Sequence, residues 1–599
     1  MFLITWCSRR AGGLAMAGTI WLTYWVISGE RGHQLHGYKQ HESIDSLASN
    51  APTNNLVGPS NRVRVFAYYC LLIHLLVAIF PLRSNWALFT ITKSLQKMAH
   101  IATASRDLDL AHQRRGSSTS LSSAETLTSS RELTSSSCSE AGESDIELSV
   151  DSEMTPNMII HAIVIPNYKE ENDTLRETLE VLASHPQARA TYDVYLAMEQ
   201  RETDVENKAM LLVNEFMRRF RSISFTVHPS NIPGELAGKG SNLAWAARQL
   251  SQRYTPAQRK DVIVTGIDVR VADIMWSAAG MSGLHEGSYV APPTSVYSLP
   301  LELVDRVGGW DCDSEAIGED LHMYLKCFFA LNGNLTVRTV LSPVSQTNVT
   351  GGGRDKGLRG IGMDMKARYK QALRHMWGAL DTGYALRKMA EVWRERKHTS
   401  RAFRPLHTSP DGSDGYIPQA QLDISNRTGF FSDIVTDTLE GPDYTRIFVL
   451  FHRLFEAHFL PVQMTILVIG STLYLWLVDG AADAPGIGWI FGVCNVLRTL
   501  GFIEVGLYLF LYEKFHKICV ETREKEMSDA GLTKGMHFSH RAPKKNWIDY
   551  FMVPLVATAY GSIPCAQALI WHFWTLDLVY TPQISCLCSI WSLAIKEGT

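Results

Sequence analysis

Apolar positions along this 599-residue chain fall into two regimes. Toward both ends they run together; through the middle they recur in short blocks separated by helical patterns. Residues 11–28 (AGGLAMAGTIWLTYWVIS) follow Arg9-Arg10 and lack a small-residue cleavage site, so they read as a membrane anchor, not a removed signal peptide. Residues 65–82 make a second apolar run, long enough to cross most of a hydrocarbon core of about 30 Å. Residues 459–478, 487–512 and 551–573 make three more, the last interrupted by Pro554 and Pro564. Residues 584–595 are apolar but too short to span. Residues 105–155 are dominated by Ser, Thr and Glu and lack the apolar density to offset ordering entropy, which predicts a disordered linker.

Between residues 156 and 392 the pattern switches to alternating elements. Strands are expected at 159–165, 192–198, 223–227, 261–267 and 335–341, and helices at 174–183, 205–220 and 241–250. A helix is also expected to start at Glu319 and another to contain 368–378. Such β-α-β-α order predicts an α/β domain with a mainly parallel sheet and helices on its faces. The expected organisation is an N-terminal membrane region (1–104), the linker (105–155), the α/β domain (156–392), a polar linker (393–445) and a C-terminal membrane region (446–599).

Charge and cysteine content narrow the classes. A net charge of −3 gives no global electrostatic case for nucleic acid. The ten cysteines are scattered without zinc-finger spacing, only Cys586 and Cys588 lying close, which fits reduced thiols. The stretch 513–548 carries Lys514, Lys517, Arg523, Lys525, Lys534, Arg541, Lys544 and Lys545, whereas the short loop around Asp479 and Asp483 has no Lys or Arg. The positive-inside bias then places that stretch, and the central domain with it, in the cytosol. Arg498 and Glu504 fall within an apolar run, where charge is expensive; they line a polar path, pair with each other or snorkel.

The candidate chemistry sits at the ends of the expected strands, where open α/β sheets bind ligands. Pro166-Asn167-Tyr168-Lys169-Glu170 follows the first strand, Glu199 the second and Asp268 the fourth. Gly238-Lys239-Gly240-Ser241-Asn242 opens a helix, with glycines that allow close approach to a phosphate and a lysine to meet its charge; the same residues also suit a plain turn, and the spacing is not that of a P-loop. Glu319-Asp320 stand at another helix start, where a carboxylate over a pocket takes a proton from a sugar hydroxyl, although the helix dipole alone favours such residues. Gln371, Arg374 and Trp377 share one helical stripe suited to a sugar chain or a diphosphate, or to lipid headgroups.

Together these motifs resemble the family-2 glycosyltransferases, especially the membrane-embedded polysaccharide synthases for cellulose, chitin and hyaluronan, and in detail fungal family-2-like proteins. The resemblance extends over about 158–390. It implies a GT-A-like, Rossmann-type domain flanked by transmembrane helices, and an inverting transfer from a nucleotide diphosphate sugar to a polysaccharide or glycolipid acceptor at the plasma or a secretory-pathway membrane. Pro166, Tyr168, Glu170, Glu199, Lys239 and Asp268 would bind the nucleotide sugar. Asp320 would serve as catalytic base beside Glu319, and Gln371, Arg374 and Trp377 would face acceptor and diphosphate, as in the family's Q-x-x-R-W element. A divalent metal, Mg or Mn, would be held by Asp268.

Two departures stand out. Trp377 lies three residues after Arg374 instead of next to it. The family's D-x-D pair reads Asp268-Val269-Arg270, with Asp273 the nearest other carboxylate, and only about fifty residues separate Asp268 from Glu319, an interval short for the family. The alternative function is therefore a catalytically impaired, transferase-like membrane scaffold or partner.

Overall fold

The computed structural model describes residues 2–44, 60–117, 158–170, 172–232, 235, 238–266, 283, 288–293, 296–312, 318–338, 357–394, 441–478, 481, 486–533 and 538–576; within these, side chains are not described for 2, 32–44 and 98–117. The chain divides into one compact unit formed by 1–92 and 159–599 and a second formed by 93–158. Of the second, the described part is Met158 and the continuation of one helix to Ser117, past residue 105 where the composition reads as linker.

The α/β part is a five-stranded sheet of order β3-β2-β1-β4-β5. Its strands are β1 (Ile160–Pro166), β2 (Tyr192–Glu199), β3 (Ser222–His228), β4 (Val262–Gly266) and β5 (Tyr297–Pro300). The first four are parallel and β5 pairs antiparallel with β4 at the edge. β1 and β2 are nearly continuous apolar runs because both faces are covered. Ile163, Ile165, Val194 and Leu196 pack on Leu175 and Leu179 of α4 (Asn172–Ala183) and on Leu212 and Phe216 of α6 (Val205–Phe216). A single turn, α5 (Ala188–Thr191), leads into β2. Residues alternate to the other face of the sheet, and α7 (Lys239–Arg253) packs against β1, β2 and β3.

Three expectations change. The helix expected to 220 ends at Phe216, and turns lead into β3 while the Arg221 N–H donates to the Ala188 and Tyr192 carbonyls. No strand forms over 335–338: the Leu335 carbonyl accepts from Arg446 and the Asn334 side chain donates to the Gly441 carbonyl, tying the segment to the approach to α12 (Tyr444–His458). Residues 339–341 lie outside the described ones. β5, unforeseen, is four residues long and carries no alternating pattern to reveal it.

After β5 come α8 (Leu301–Arg306), α9 (Glu319–Ala330), α10 (Leu358–Trp377) and α11 (Ala379–Arg394). Among the described residues, five helices are long and apolar enough to cross a membrane: Ala11–Arg31 within α2 (Ala11–Ile44), Asn61–Lys97 within α3 (Asn61–Ser117), α13 (Leu460–Leu477), α14 (Gly488–Asp529) and Trp547–Trp571. They coincide with the five expected runs. α14 continues to Asp529, so the basic stretch begins as helix rather than as a loop at 513. The last span is α15 (Trp547–Ala557), a π-helical turn at Thr558–Ser562, and α16 (Ile563–Trp571). That wide turn precedes Pro564, whose missing N–H would otherwise break the ladder.

The soluble and apolar helices share a core. Met16, Val462, Cys565 and Leu569 of the apolar helices pack with Met376 and Trp377 of α10 and Leu380 of α11. Small residues bring backbones close, as in membrane helix packing: a Cβ on Gly13 would meet the Leu569 carbonyl oxygen at 2.7 Å, and one on Gly470 would meet the Thr23 methyl at 2.5 Å. Arg498 is satisfied inside the apolar core, donating to His74 Nε2 (2.8 Å) and Ser471 Oγ (2.9 Å) rather than pairing with Glu504. His74 therefore accepts at Nε2 and donates from Nδ1 to the Cys70 carbonyl (2.6 Å). The described cysteines are all free, as expected.

α1 (Phe2–Arg9) lies against α11 at Gly383, where a Cβ would stand 2.9 Å from the Ser8 carbonyl carbon and nearer still to its oxygen. Gly383→Ala must push these backbones apart at about 1–3 kcal/mol. A thermal melt of the detergent-solubilised protein is expected to fall by several degrees for Gly383→Ala and to hold or rise slightly for Gly362→Ala, a helical position whose Cβ meets nothing within 4 Å.

Candidate functional site

The strand order reverses at β1: the chain steps outward through β2 and β3, then returns to place β4 on the other side of β1. The crevice beyond the carboxyl ends of β1 and β4 is the switch point where such sheets bind ligands. Pro166 ends β1 there, followed by Asn167, which is buried. The Asn167 N–H donates to the Ala197 carbonyl (2.8 Å) and its Nδ2 to Glu202 Oε2 (2.9 Å). Glu202 also accepts from the Lys169 backbone N–H (2.9 Å) and from Lys208 Nζ (2.8 Å), and Lys208 donates to the Glu170 carbonyl (2.6 Å). Lys169 sits at φ +58, so this carboxylate and ammonium hold a turn in the left-handed region.

Glu199, at the end of β2, is fully buried and ion-pairs with Arg201, whose guanidinium lies 5.0 Å from the centroid of the Tyr168 ring. Pro166, Tyr168, Glu170 and Glu199 are thus gathered on one edge. The next turn joins it through Asn242 of α7, whose Nδ2 lies 3.5 Å from the Asn167 carbonyl.

The decisive contact is between the starts of α7 and α9. Lys239 ion-pairs with Glu319. A Cβ on Gly240 would stand 3.2 Å from Glu319 Cβ and 3.3 Å from the Asp311 carbonyl, so the missing side chain is what lets the two helix ends meet. Asp320 Oδ1 accepts from the Leu321 N–H (2.8 Å). The sequence Gly308-Gly309 makes the approach possible: both lie at positive φ (+89 and +93), which only glycine adopts without strain, and they swing Trp310 and Asp311 inward. The Gly309 carbonyl accepts from Lys326 (3.2 Å).

β4 and β5 close the other wall. A Cβ on Gly266, the last described residue of β4, would rest 3.4–3.5 Å from Leu243 of α7 and 3.5 Å from Trp310. Gly266 pairs with Tyr297, whose ring lies 5.2 Å from that of Trp310. Burial pushes the Tyr297 phenol well above its ordinary pKa, and the carboxylates of Glu319, Asp320 and Asp311 push it further, so it stays protonated. Asp268 and Arg270, two and four residues past Gly266, lie outside the described residues. Among the described residues no group of three His, Cys, Asp or Glu is placed to hold a metal.

Gln371 and Arg374 are half-buried on α10, but Trp377 is buried and does not share their exposure. Its Nε1 donates to the Leu576 carbonyl (3.0 Å), and its ring packs edge-on to Trp571 and His572.

Two groups of residues escaped the sequence reading. Glu235 accepts from Arg248 and lies 3.1 Å from His228 Nε2, with Cys312 Sγ at 3.5 Å. Burial would raise the Glu235 carboxyl, but hydrogen bonds from His228 and Arg248 outweigh it and hold it below the usual range. The second group is Asp311, His322, Lys326 and Asp381, all buried. A faint signal existed for it, since His322 and Lys326 are polar residues four apart on an otherwise apolar helix.

Residues 246–493 match the family model described as glycosyl transferase family group 2. No curated protein and no solved structure matches the chain. The matched stretch begins inside α7, so the β1–β3 elements and Lys239 precede it, and it takes in Asp268, Glu319-Asp320 and the α10 stripe.

Glu202 is the hub of the β1 turn. Glu202→Gln leaves Lys208 without its buried carboxylate partner, a loss of about 3 kcal/mol, and a lowered thermal midpoint with intact helical circular dichroism is the expected reading.

Proposed function

We propose, from the match of residues 246–493 to the family-2 glycosyltransferase model, that this chain is a membrane-bound inverting enzyme moving a sugar from a nucleotide diphosphate sugar to a polysaccharide or glycolipid acceptor. The single observation that carries this reading is the meeting of Lys239-Gly240 with Glu319-Asp320 beside the β1–β4 switch point. It brings a cation, a helix N-terminus and a carboxylate to one place, which is what an in-line displacement at an anomeric carbon requires.

In this reading Asp320 removes the proton from the acceptor hydroxyl as its oxygen attacks the anomeric carbon. The diphosphate leaves on the opposite side, where the start of α7 and Lys239 meet its charge. Glu319 holds Lys239 until the diphosphate competes for it. Tyr168, backed by Arg201 and Glu199, offers a ring face to the nucleoside base, and Glu170 borders it. Gln371 and Arg374 face acceptor or diphosphate, while Trp377 serves as the anchor of their helix against the last apolar helix. A divalent metal at Asp268 stays part of the proposal, and no step is routed through it. The five apolar helices support a membrane setting. The basic residues after the fourth span support a cytosolic catalytic domain.

Membranes bearing the wild-type chain are expected to transfer radiolabel from a nucleotide sugar, with Asp320→Asn lower by about 10²–10⁴-fold. Label no higher than background in both would favour the scaffold reading instead. Lys239→Ala is expected to weaken donor binding by roughly 10–100-fold, read as a raised donor KM. Chelation of divalent cations is expected to abolish transfer, and Mg or Mn to restore it. Asn172 and Asn334 stand in glycosylation sequons, and glycans on either would place the domain in the lumen.

A further inference from the structure

Beneath the start of α9 lies a buried ionic cluster with no role in the reaction as drawn above. His322 Nδ1 donates to Asp381 Oδ1 at 2.6 Å, and both residues are 1% exposed. Asp381 begins the helix that follows the α10 stripe, so this bond joins the two helices on either side of the candidate site. Asp311, 0% exposed, faces His322 Nε2 at 3.9 Å and Lys326 Nζ at 3.5 Å. Burying two carboxylates is costly unless they are paired, and here the partners are His322 and Lys326.

Gly318 brings Asp381 to the candidate base. From the point where its Cβ would stand, Asp320 Oδ1 is 3.4 Å away and Asp381 Oδ2 is 3.9 Å away. Both carboxylate oxygens thus lie within 4 Å of one point at which glycine has no side chain. A fixed negative charge at this range raises the proton affinity of its neighbour, and a general base gains from a higher proton affinity.

We infer that Asp381, clamped by His322, is a positioning residue that keeps Asp320 basic enough to take the acceptor proton. The inference rests on reading Asp320 as the base. Other charges also face Asp320. Glu319 is its neighbour on α9, with Lys239 of α7 beyond it. Tyr297 of β5 senses Asp320 directly, along with Asp311. From α11 and α12, the Tyr384 ring lies tilted against His322, and His458 Nε2 stands 3.4 Å from the position a Gly378 Cβ would take, with Asp381 Oδ2 at 3.6 Å from the same point. Of these, Asp381 is the carboxylate that lies with Asp320 Oδ1 beside Gly318 and is held by a hydrogen bond from His322.

The test uses the full chain in nanodiscs and needs no turnover. Carboxyl groups couple to glycine ethyl ester through a water-soluble carbodiimide in their protonated form, so labelling of the Asp320 peptide, followed by mass spectrometry against pH, reads its proton affinity. Asp381→Asn is expected to move the labelling midpoint down by about one pH unit. His322→Leu strands Asp381 in an apolar site where it takes up a proton, and the same downward move is expected. His322→Asn, whose Nδ2 replaces the Nδ1 donor, is expected to restore the wild-type midpoint. In transfer assays, Asp381→Asn and His322→Leu should shift the acid limb of kcat/KM by the same amount and lower the plateau about 3–10-fold, with donor KM unchanged. A midpoint that stays in place in both Asp381→Asn and His322→Leu overturns the inference, even if the variants melt earlier. A midpoint that moves while Asp320→Asn transfers as well as wild type leaves the coupling of Asp381 to Asp320 standing but overturns its role in proton removal, and sinks the reading of Asp320 as base.

Discussion

Two helix N-termini pointing into the same crevice repel each other unless something negative lies between them and nothing bulky does. That constraint organises this molecule. Gly240 removes the bulk, Glu319 supplies the charge, and Lys239 closes the contact. The starts of α7 and α9 are thereby fixed against each other, although they lie eighty positions apart in the sequence. The neighbouring features follow from it. The Gly308-Gly309 turn must deliver Asp311 against Gly240, and β5 must lie beside β4 to back the junction with Tyr297 and Trp310.

Much of this was legible from one sequence because parallel sheets announce themselves. β1, β2, β3 and β4 are short apolar runs separated by amphipathic helices, and their order alone implies the switch point. The polar residues after each strand then name the site edge. What stayed hidden was whatever depends on distant partners. β5 is too short to show a period. Leu335 and Val337 alternate like a strand, yet the segment's carbonyls and amides are taken up near α12. Asp381 looks in sequence like any acidic residue opening a helix, and only its approach to His322 sets it apart.

The motif residues divide by the same logic. Pro166, Tyr168, Glu199, Lys239 and Glu319 could be grouped in advance because strand ends and helix starts are geometrically predictable. Trp377 could not be placed, since the helical stripe it shares with Gln371 and Arg374 says nothing about what covers the end of that stripe. The last apolar helix covers it, and the indole becomes a packing and hydrogen-bonding element. Arg498 is a similar case: its cost in an apolar helix was plain, but not that His74 and Ser471 would meet it.

The lodging of Trp377 between α10 and the final span has one more implication. With its N–H tied to Leu576 and its ring set against Trp571 and His572, the indole makes the two helices a single mechanical piece. A span that tilts to match a thicker or thinner bilayer carries that piece with it, and Arg374 rides one turn further along. The segment that carries Gln371 and Arg374 is thereby tied to the position of that apolar helix.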